Sequence, residues 1–355
     1  MSLKYRDSVI YALGFSSVMF LAAALVFMAR PLEIRDEMLA ASLRMEKAVE
    51  AVRKCRESQG IGLEPARDVN RTGLIGLETS QITTSLGNLE AKRTTVNPNF
   101  AGLITLLLHQ AGVRKGSTVA IGASSSFPAL IIASLCAVQA MEVRGLLISS
   151  LGASQWGANQ PDFNWLDMLG CLKRSGLLTA EPIALSLGGD QDMGKDMSPK
   201  GRALLVRLGK ETGLPFIEEP DLEKNVRERF RMFETAAGET GIQAFINIGG
   251  SYANMGTDSE ILKVGPGLAA FSSTPPRERR GVIFEMAARR IPVIHLLYVK
   301  GLCDRFGLPW DPSPLPESGQ GDIFEKKEVG SRTFLILAGA YFLVIALVLA
   351  ITARL

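Results

Sequence analysis

Five stretches in the middle of the chain join a short apolar run to small, polar or glycine residues, the types from which ligand sites are built. Thr118–Gly122 leads into Ser124, Ser125 and Ser126, and Gly145–Ile148 leads into Ser149, Ser150, Gly152 and Ser154. Pro182–Leu187 is followed by Gly188, Gly189, Asp190, Gln191 and Asp192, and Ala244–Ile248 by Gly249, Gly250, Ser251, Tyr252, Ala253 and Asn254. Pro292–Leu297 ends in Tyr298, Lys300 and Gly301. Glycine lets a backbone turn sharply and approach a ligand closely. Hydroxyls and helix N-terminal amides attract phosphate or carboxylate. One such loop is ordinary connection chemistry, but several at one edge of a sheet make a binding site. The candidate ligand set is Ser124, Ser125, Ser126, Ser150, Ser154, Gly188, Gly189, Asp190, Gly249, Gly250, Ser251 and Lys300.

The same residues can be tested for catalysis. A nucleophile elbow needs G-x-S-x-G at a strand–turn–helix junction. Gly122-Ala123-Ser124-Ser125-Ser126 supplies the junction and the first glycine, but Ser126 stands where the second glycine belongs. Of the two histidines, only His295 follows the turn. Ser124 or Ser126 as nucleophile, His295 as base and Asp190 or Asp192 as acid would run in the Ser–Asp–His order of α/β-hydrolases. The competing reading places His295 in the buried strand IPVIHLL, with the serines capping the next helix and donating to an anion. Neither G-x-x-x-x-G-K-[ST] nor a G-x-G-x-x-G after the first strand occurs, so neither ATP nor NAD is supported and no cofactor is expected. Two histidines disfavour zinc, and Asp190 with Asp192 alone is weak evidence for a divalent cation, so no metal is expected.

The elements that must position these loops follow from periodicity. Between the apolar runs lie amphipathic helical stretches at Phe127–Met141, Asn164–Ser175, Ser198–Thr212, Asp221–Ala237 and Arg277–Arg290. Short apolar strands alternating with such helices predict an α/β fold with a doubly wound, mostly parallel, Rossmann-like sheet. A short strand is also possible at Pro215–Ile217. A helix over Phe100–Ala111 precedes the first strand, and His109 on it reads as a surface or packing residue. Ile34–Arg56 has apolar residues at near-helical spacing among charges and reads as a stalk or packing helix. The polar, irregular segment that follows, up to Pro98, reads as a surface hairpin or as a cover folded over a ligand. WDPSPLPESGQG, from Trp310 to Gly321, reads as a linker.

Two uncharged apolar runs, Val9–Met28 and Thr333–Ala353, have the length that crosses a bilayer as a helix. A signal peptide competes for the first and a buried core helix for the second, but the first ends in FMARP rather than a small-x-small cleavage site. The expected organisation is a transmembrane helix at 9–28, a stalk and irregular segment at 31–98, an α/β domain at 99–309, a linker at 310–332 and a transmembrane helix at 333–353. Both tails then share one side of a cell membrane. The positive N-terminal tail favours an extracytoplasmic middle, while a plain count of Lys and Arg near the spans points the other way. Charged residues make up 21% with a net charge of +3, which gives no basis for nucleic-acid binding. Cys136 reads as core; Cys55, Cys171 and Cys303 leave room for one disulfide that their spacing does not identify.

Several long segments together resemble the poly-γ-glutamate system protein family of bacteria. They are NPNFAGLI, VAIGASSSFPAL, ISSLGASQWGANQPDFNWLDM, SLGGDQDMGKDMSPKGR, FINIGGSYANMG and IHLLYVKGLCDRFGLPWDPSPLPE, covering most of residues 97 to 317. The flanking apolar runs are also in character. The resemblance implies an accessory role beside the synthase subunits that make or export this capsule-type polymer, and it carries over no catalytic residues. A γ-linked glutamate chain is a row of carboxylates, suited to serine hydroxyls with Arg202, Lys300 and Arg305, and with Lys92 and Arg93 closing from the irregular segment. The expected ligand is poly-γ-glutamate or its oligomers. The alternatives are a serine hydrolase that trims or releases the polymer, and a scaffold with no ligand site.

Overall fold

The computed structural model describes residues 3–27, 29–178, 181–329 and 331–354. In chain order the helices and strands used below are α1 (Leu3–Phe27), α2 (Arg35–Ser58), α3 (Leu89–Thr95), α4 (Asn99–Gln110), β1 (Thr118–Ser124) and α5 (Pro128–Ala140). They continue with β2 (Arg144–Ser150), α6 (Trp165–Arg174), β3 (Pro182–Ser186), α7 (Pro199–Glu211), β4 (Phe216–Ile217), α8 (Leu222–Ala237) and β5 (Ala244–Ile248). The last are α9 (Tyr252–Met255), β6 (Gly267–Leu268), α10 (Val282–Ala288), β7 (Val293–Leu296), α11 (Val299–Phe306) and α12 (Ser331–Arg354).

The sheet order is β4-β3-β2-β1-β5-β7-β6. All neighbours are parallel except β6, which runs antiparallel to β7. The expected mostly parallel α/β sheet is therefore present. β1 is buried along its whole length, and β5 likewise, as strands covered on both faces must be. On one face Phe233, Phe245, Phe284 and Ile283 form part of a continuous apolar core. Helix α5 is buried almost all round, so its sequence has no polar face to mark it as amphipathic. The chain steps outward from β1 through β2 and β3 to β4, then returns to the other side of β1 at β5. A crevice opens where the direction of winding reverses, beyond the carboxyl ends of β1 and β5.

The compact unit runs from Asp36 to Ile323 and so takes in more than the expected 99–309. Helix α2 is a packing helix rather than a free stalk: Met38, Ala41, Met45, Ala48 and Val52 are fully buried. A disulfide between Cys55 and Cys171 ties α2 to α6. The irregular segment after α2 is threaded against residues 153–159, with Gly76 N–H donating to the Trp156 carbonyl and Thr84 N–H to the Ala153 carbonyl. Gly76 has no alternative there, since a Cβ would lie 1.9 Å from the Gly157 oxygen. The expected 310–332 linker is, up to Gln320, a strap packed on the domain. Buried Asn99 donates to the Glu317 and Gln320 carbonyls and accepts from Gly319 N–H. A proline-rich strand has few backbone bonds of its own to make, and one side-chain amide supplies three. Gly330, in the expected linker, lies outside the described residues.

The second unit comprises residues 1–35 and 324–355. Both apolar runs are helical, within α1 and α12; Met28 lies outside the described residues. The Phe20 and Tyr341 rings stack at 4.4 Å between centroids, and the Tyr341 hydroxyl shares hydrogen bonds with Ser16 and Ser17. Ala29–Pro31 pairs antiparallel with Lys327–Val329. Among the described residues no helix is long and apolar enough to cross a membrane. Large apolar side chains nonetheless stand exposed on both helices, among them Tyr11, Phe15, Leu335, Ile336 and Phe342.

Candidate functional site

The loops at the carboxyl ends of β1, β2, β3, β5 and β7 line one cavity of about 760 Å³. Of the sequence-selected residues, Ser124, Ser126, Ser154, Gly189, Asp190, Gly250, Ser251 and Lys300 line it. Ser125, Ser150, Gly188 and Gly249 lie behind the wall. Ser125 Oγ donates to the Ser150 carbonyl, which pins the β1 turn to the end of β2. A Cβ on Gly249 would come within 3.1 Å of the Ser124 Cβ, so the β1 and β5 loops abut. Gly122, read as the first glycine of an elbow, is required for packing: a Cβ there would approach the buried Asn254 amide to 2.6 Å.

The serines form a chain. Ser124 Oγ donates to Ser126 Oγ at 2.9 Å, and Ser154 N–H donates to the same oxygen at 2.9 Å. Ser126 Oγ thus already accepts two bonds, and its own hydrogen is left to donate. Lys92 Nζ donates to the Ser126 carbonyl and, at 2.9 Å, to Ser154 Oγ. It also lies 3.6 Å from the centroid of the Phe127 ring. Lys92 is only 3% exposed, and among the described residues it has no acidic partner. Burial pulls its pKa down from 10.5 to about 7, while the Phe127 face works the other way by favouring the ammonium.

Two features aim Lys92 at the cavity. The Asn88 side chain caps α3 by accepting from Ala91 N–H. Arg93, next in sequence, forms an ion pair with Asp311 of the proline-rich strap, and Asp311 N–H donates to Thr94 Oγ1. The strap also places Trp310 in the cavity wall. The irregular segment therefore acts as a cover: Thr84, Ser85, Leu86, Gly87 and Asn88 all line the cavity. Of the other basic candidates, Arg93 is spent on Asp311, and Arg305 donates to the Pro266 carbonyl away from the lining. Arg202 lies along a different surface groove, and Lys300 lines the cavity while paired with Asp304.

The two aspartates of the β3 loop have different tasks. Asp190 lines the cavity, as does Asp196, whose carboxyl is pushed up by burial. Asp192 is buried and tethers the loop, accepting from Arg229 at 2.6 Å, Asn225 at 3.0 Å and Ser186 at 2.9 Å. Its role in a cation site is thereby taken by Arg229, and no group of three or more His, Cys, Asp or Glu side chains suited to a metal occurs among the described residues.

His295 does not join the serines. It sits in β7 in register with Asn247 of β5, and its Nδ1 is 2.9 Å from the Asn247 side-chain nitrogen, which donates to it. Burial lowers its pKa from 6.5 to about 4, so the imidazole is neutral at ordinary pH. The Ser124/Ser126–His295–Asp190 arrangement of the hydrolase reading is not assembled among the described residues, because the strand places His295 inside the sheet rather than at its edge. Comparisons with family models, curated proteins and solved structures each return no match.

Proposed function

We propose that this chain is a membrane-anchored accessory component of a poly-γ-glutamate synthesis and export system that binds γ-glutamyl chains in the cavity at the carboxyl edge of its sheet. The observation that carries the binding reading is Lys92, a buried cation with no acidic partner among the described residues, bonded to the Ser126 carbonyl and the Ser154 hydroxyl. A ligand carboxylate is the natural counter-charge for such a group, and charge-assisted hydrogen bonds are the strong ones. Asp190 and Asp196 in the same cavity add the opposite sign. The amino end of a γ-glutamyl chain carries an α-ammonium beside an α-carboxylate and complements both.

Anchoring is supported by the exposed apolar side chains of α1 and α12, which favour a lipid environment over water. The Cys55–Cys171 disulfide favours an oxidising compartment and hence an extracytoplasmic domain, within reach of exported polymer and of the synthase subunits. The test is calorimetric titration of the full chain in detergent with γ-linked glutamate oligomers. Salt-sensitive binding is expected, weakened about 10-fold or more in Lys92→Met, the worth of one charge-assisted bond. Oligomers that show no affinity at low salt overturn the reading.

A further inference from the structure

We infer that Ser154 and Lys92 form a serine–lysine dyad, and that the cavity performs acyl transfer on the γ-glutamyl amide bonds it holds. The inference rests on the proposed ligand class. It assigns to the site a nucleophile and a base that the serine–histidine pattern does not contain. Lys92 Nζ and Ser154 Oγ are 2.9 Å apart, the distance at which a base takes a hydroxyl proton. Both groups are buried side chains on the wall of the same cavity, so the pair is shielded but reachable by a ligand.

A lysine serves as a base only when it is neutral, and three features make that form accessible. Burial favours the free amine against the opposing pull of the Phe127 face, no carboxylate among the described residues holds the ammonium, and the Ser126 carbonyl orients Nζ without adding a charge. Ser126 serves as a positioning residue. Its Oγ accepts from Ser154 N–H and fixes the backbone that carries the nucleophile, and its free hydrogen can donate to a carbonyl oxygen as negative charge develops there.

The reaction balances with water as the only co-reactant. Ser154 Oγ bonds to the amide carbonyl carbon as Lys92 accepts the hydroxyl proton. The C–N bond breaks, and Lys92 returns that proton to the departing α-amine. Water then attacks the acyl-serine ester, its proton passing through Lys92 to Ser154 Oγ. The products are two shorter chains, one ending in the new γ-carboxylate and the other in the new α-amine. Lys92 cannot bind a carboxylate and abstract a proton in one protonation state, so binding falls and acylation rises as pH climbs through about 7.

The experiment uses the full chain in detergent and an organic fluorophosphonate, with the modified residue located by mass spectrometry. The expected result is a covalent adduct on Ser154 whose rate of formation climbs across about pH 6 to 8, drops about 100-fold or more in Lys92→Met and persists in His295→Gln. Circular dichroism establishes that each variant is folded. The inference is overturned by a folded wild-type chain that gives no Ser154 adduct, by an adduct on another serine, or by an unchanged rate in Lys92→Met. Titration of Ser154→Ala with γ-glutamate oligomers separates the two proposals. Binding by Ser154→Ala with no wild-type adduct sinks the dyad and leaves the ligand class standing. An adduct without any oligomer binding supports the dyad and overturns the γ-glutamyl ligand.

Discussion

Lys92 concentrates the physical cost of the site in one side chain. Below about pH 7 it is charged in both the folded and unfolded chain, and the penalty for burying an ammonium is present in full. Between about 7 and 10.5 the unfolded chain keeps a proton that the folded chain has released, so stability rises with pH; above 10.5 the penalty is gone. Lys92→Met should therefore raise stability by on the order of 5 kcal/mol at acidic pH relative to its effect above pH 10.5. Urea unfolding of both proteins across this range checks it, and a pH-independent difference would refute the assignment. The residue-scale legibility of the site divides along the same line. Ser124, Ser126, Ser154, Gly250 and Ser251 could be read because a small polar residue directly after an apolar strand has little freedom of position. Lys92 could be noticed only as one of two neighbouring cations, since its burial depends on how the irregular segment and the strap pack. Arg93, beside it, came out as an ion-pair partner instead.

At the scale of elements, the strand–helix alternation was legible because its two periods differ so plainly, and the expected strands fall within a residue or two of their positions, while the two-residue antiparallel β6 was not expected. The roles of α2 and the strap were not. Leu43 of α2 is exposed while Ala41 and Ala48 join Met38, Met45 and Val52 in the buried stripe, so the spacing marks a helix without telling which face packs or against what. The strap is held by Asn99 and Asp311, polar contacts that leave no periodic trace. The β3 loop shows the same limit: two similar aspartates separate into a cavity residue and an anchor only when Arg229 arrives from α8. Removing one partner of a buried pair strands the other, so Asp192→Ala should cost about 3–5 kcal/mol. The double variant Asp192→Ala with Arg229→Met should recover part of that loss. Chemical denaturation of the three proteins tests this, and a double variant less stable than the single would show that the loop is held by something else.

For the whole molecule, the disulfide links sequence positions 116 residues apart and joins the helix that follows the N-terminal apolar unit to the α/β domain. A cross-link over such a span removes much of the entropy of the unfolded chain, and its loss typically costs about 2–5 kcal/mol. Its presence also bears on the proposed extracytoplasmic placement of the domain, since cytoplasmic thiols are kept reduced. The other two cysteines are insulated from oxidation: burial pushes the Cys136 thiol up to about 12 and the Cys303 thiol up to about 11, leaving little thiolate at neutral pH. Alkylating freshly prepared membranes under denaturing, non-reducing conditions should therefore label Cys136 and Cys303 alone, with Cys55 and Cys171 appearing only after reduction. Labelling of all four cysteines without reductant would place the domain in a reducing compartment and overturn the proposed extracytoplasmic location. Cys55→Ser in the same membranes should lower the midpoint of thermal unfolding and make that midpoint insensitive to reductant. Together with the labelling pattern, this distinguishes a disulfide formed in the cell from one formed during handling.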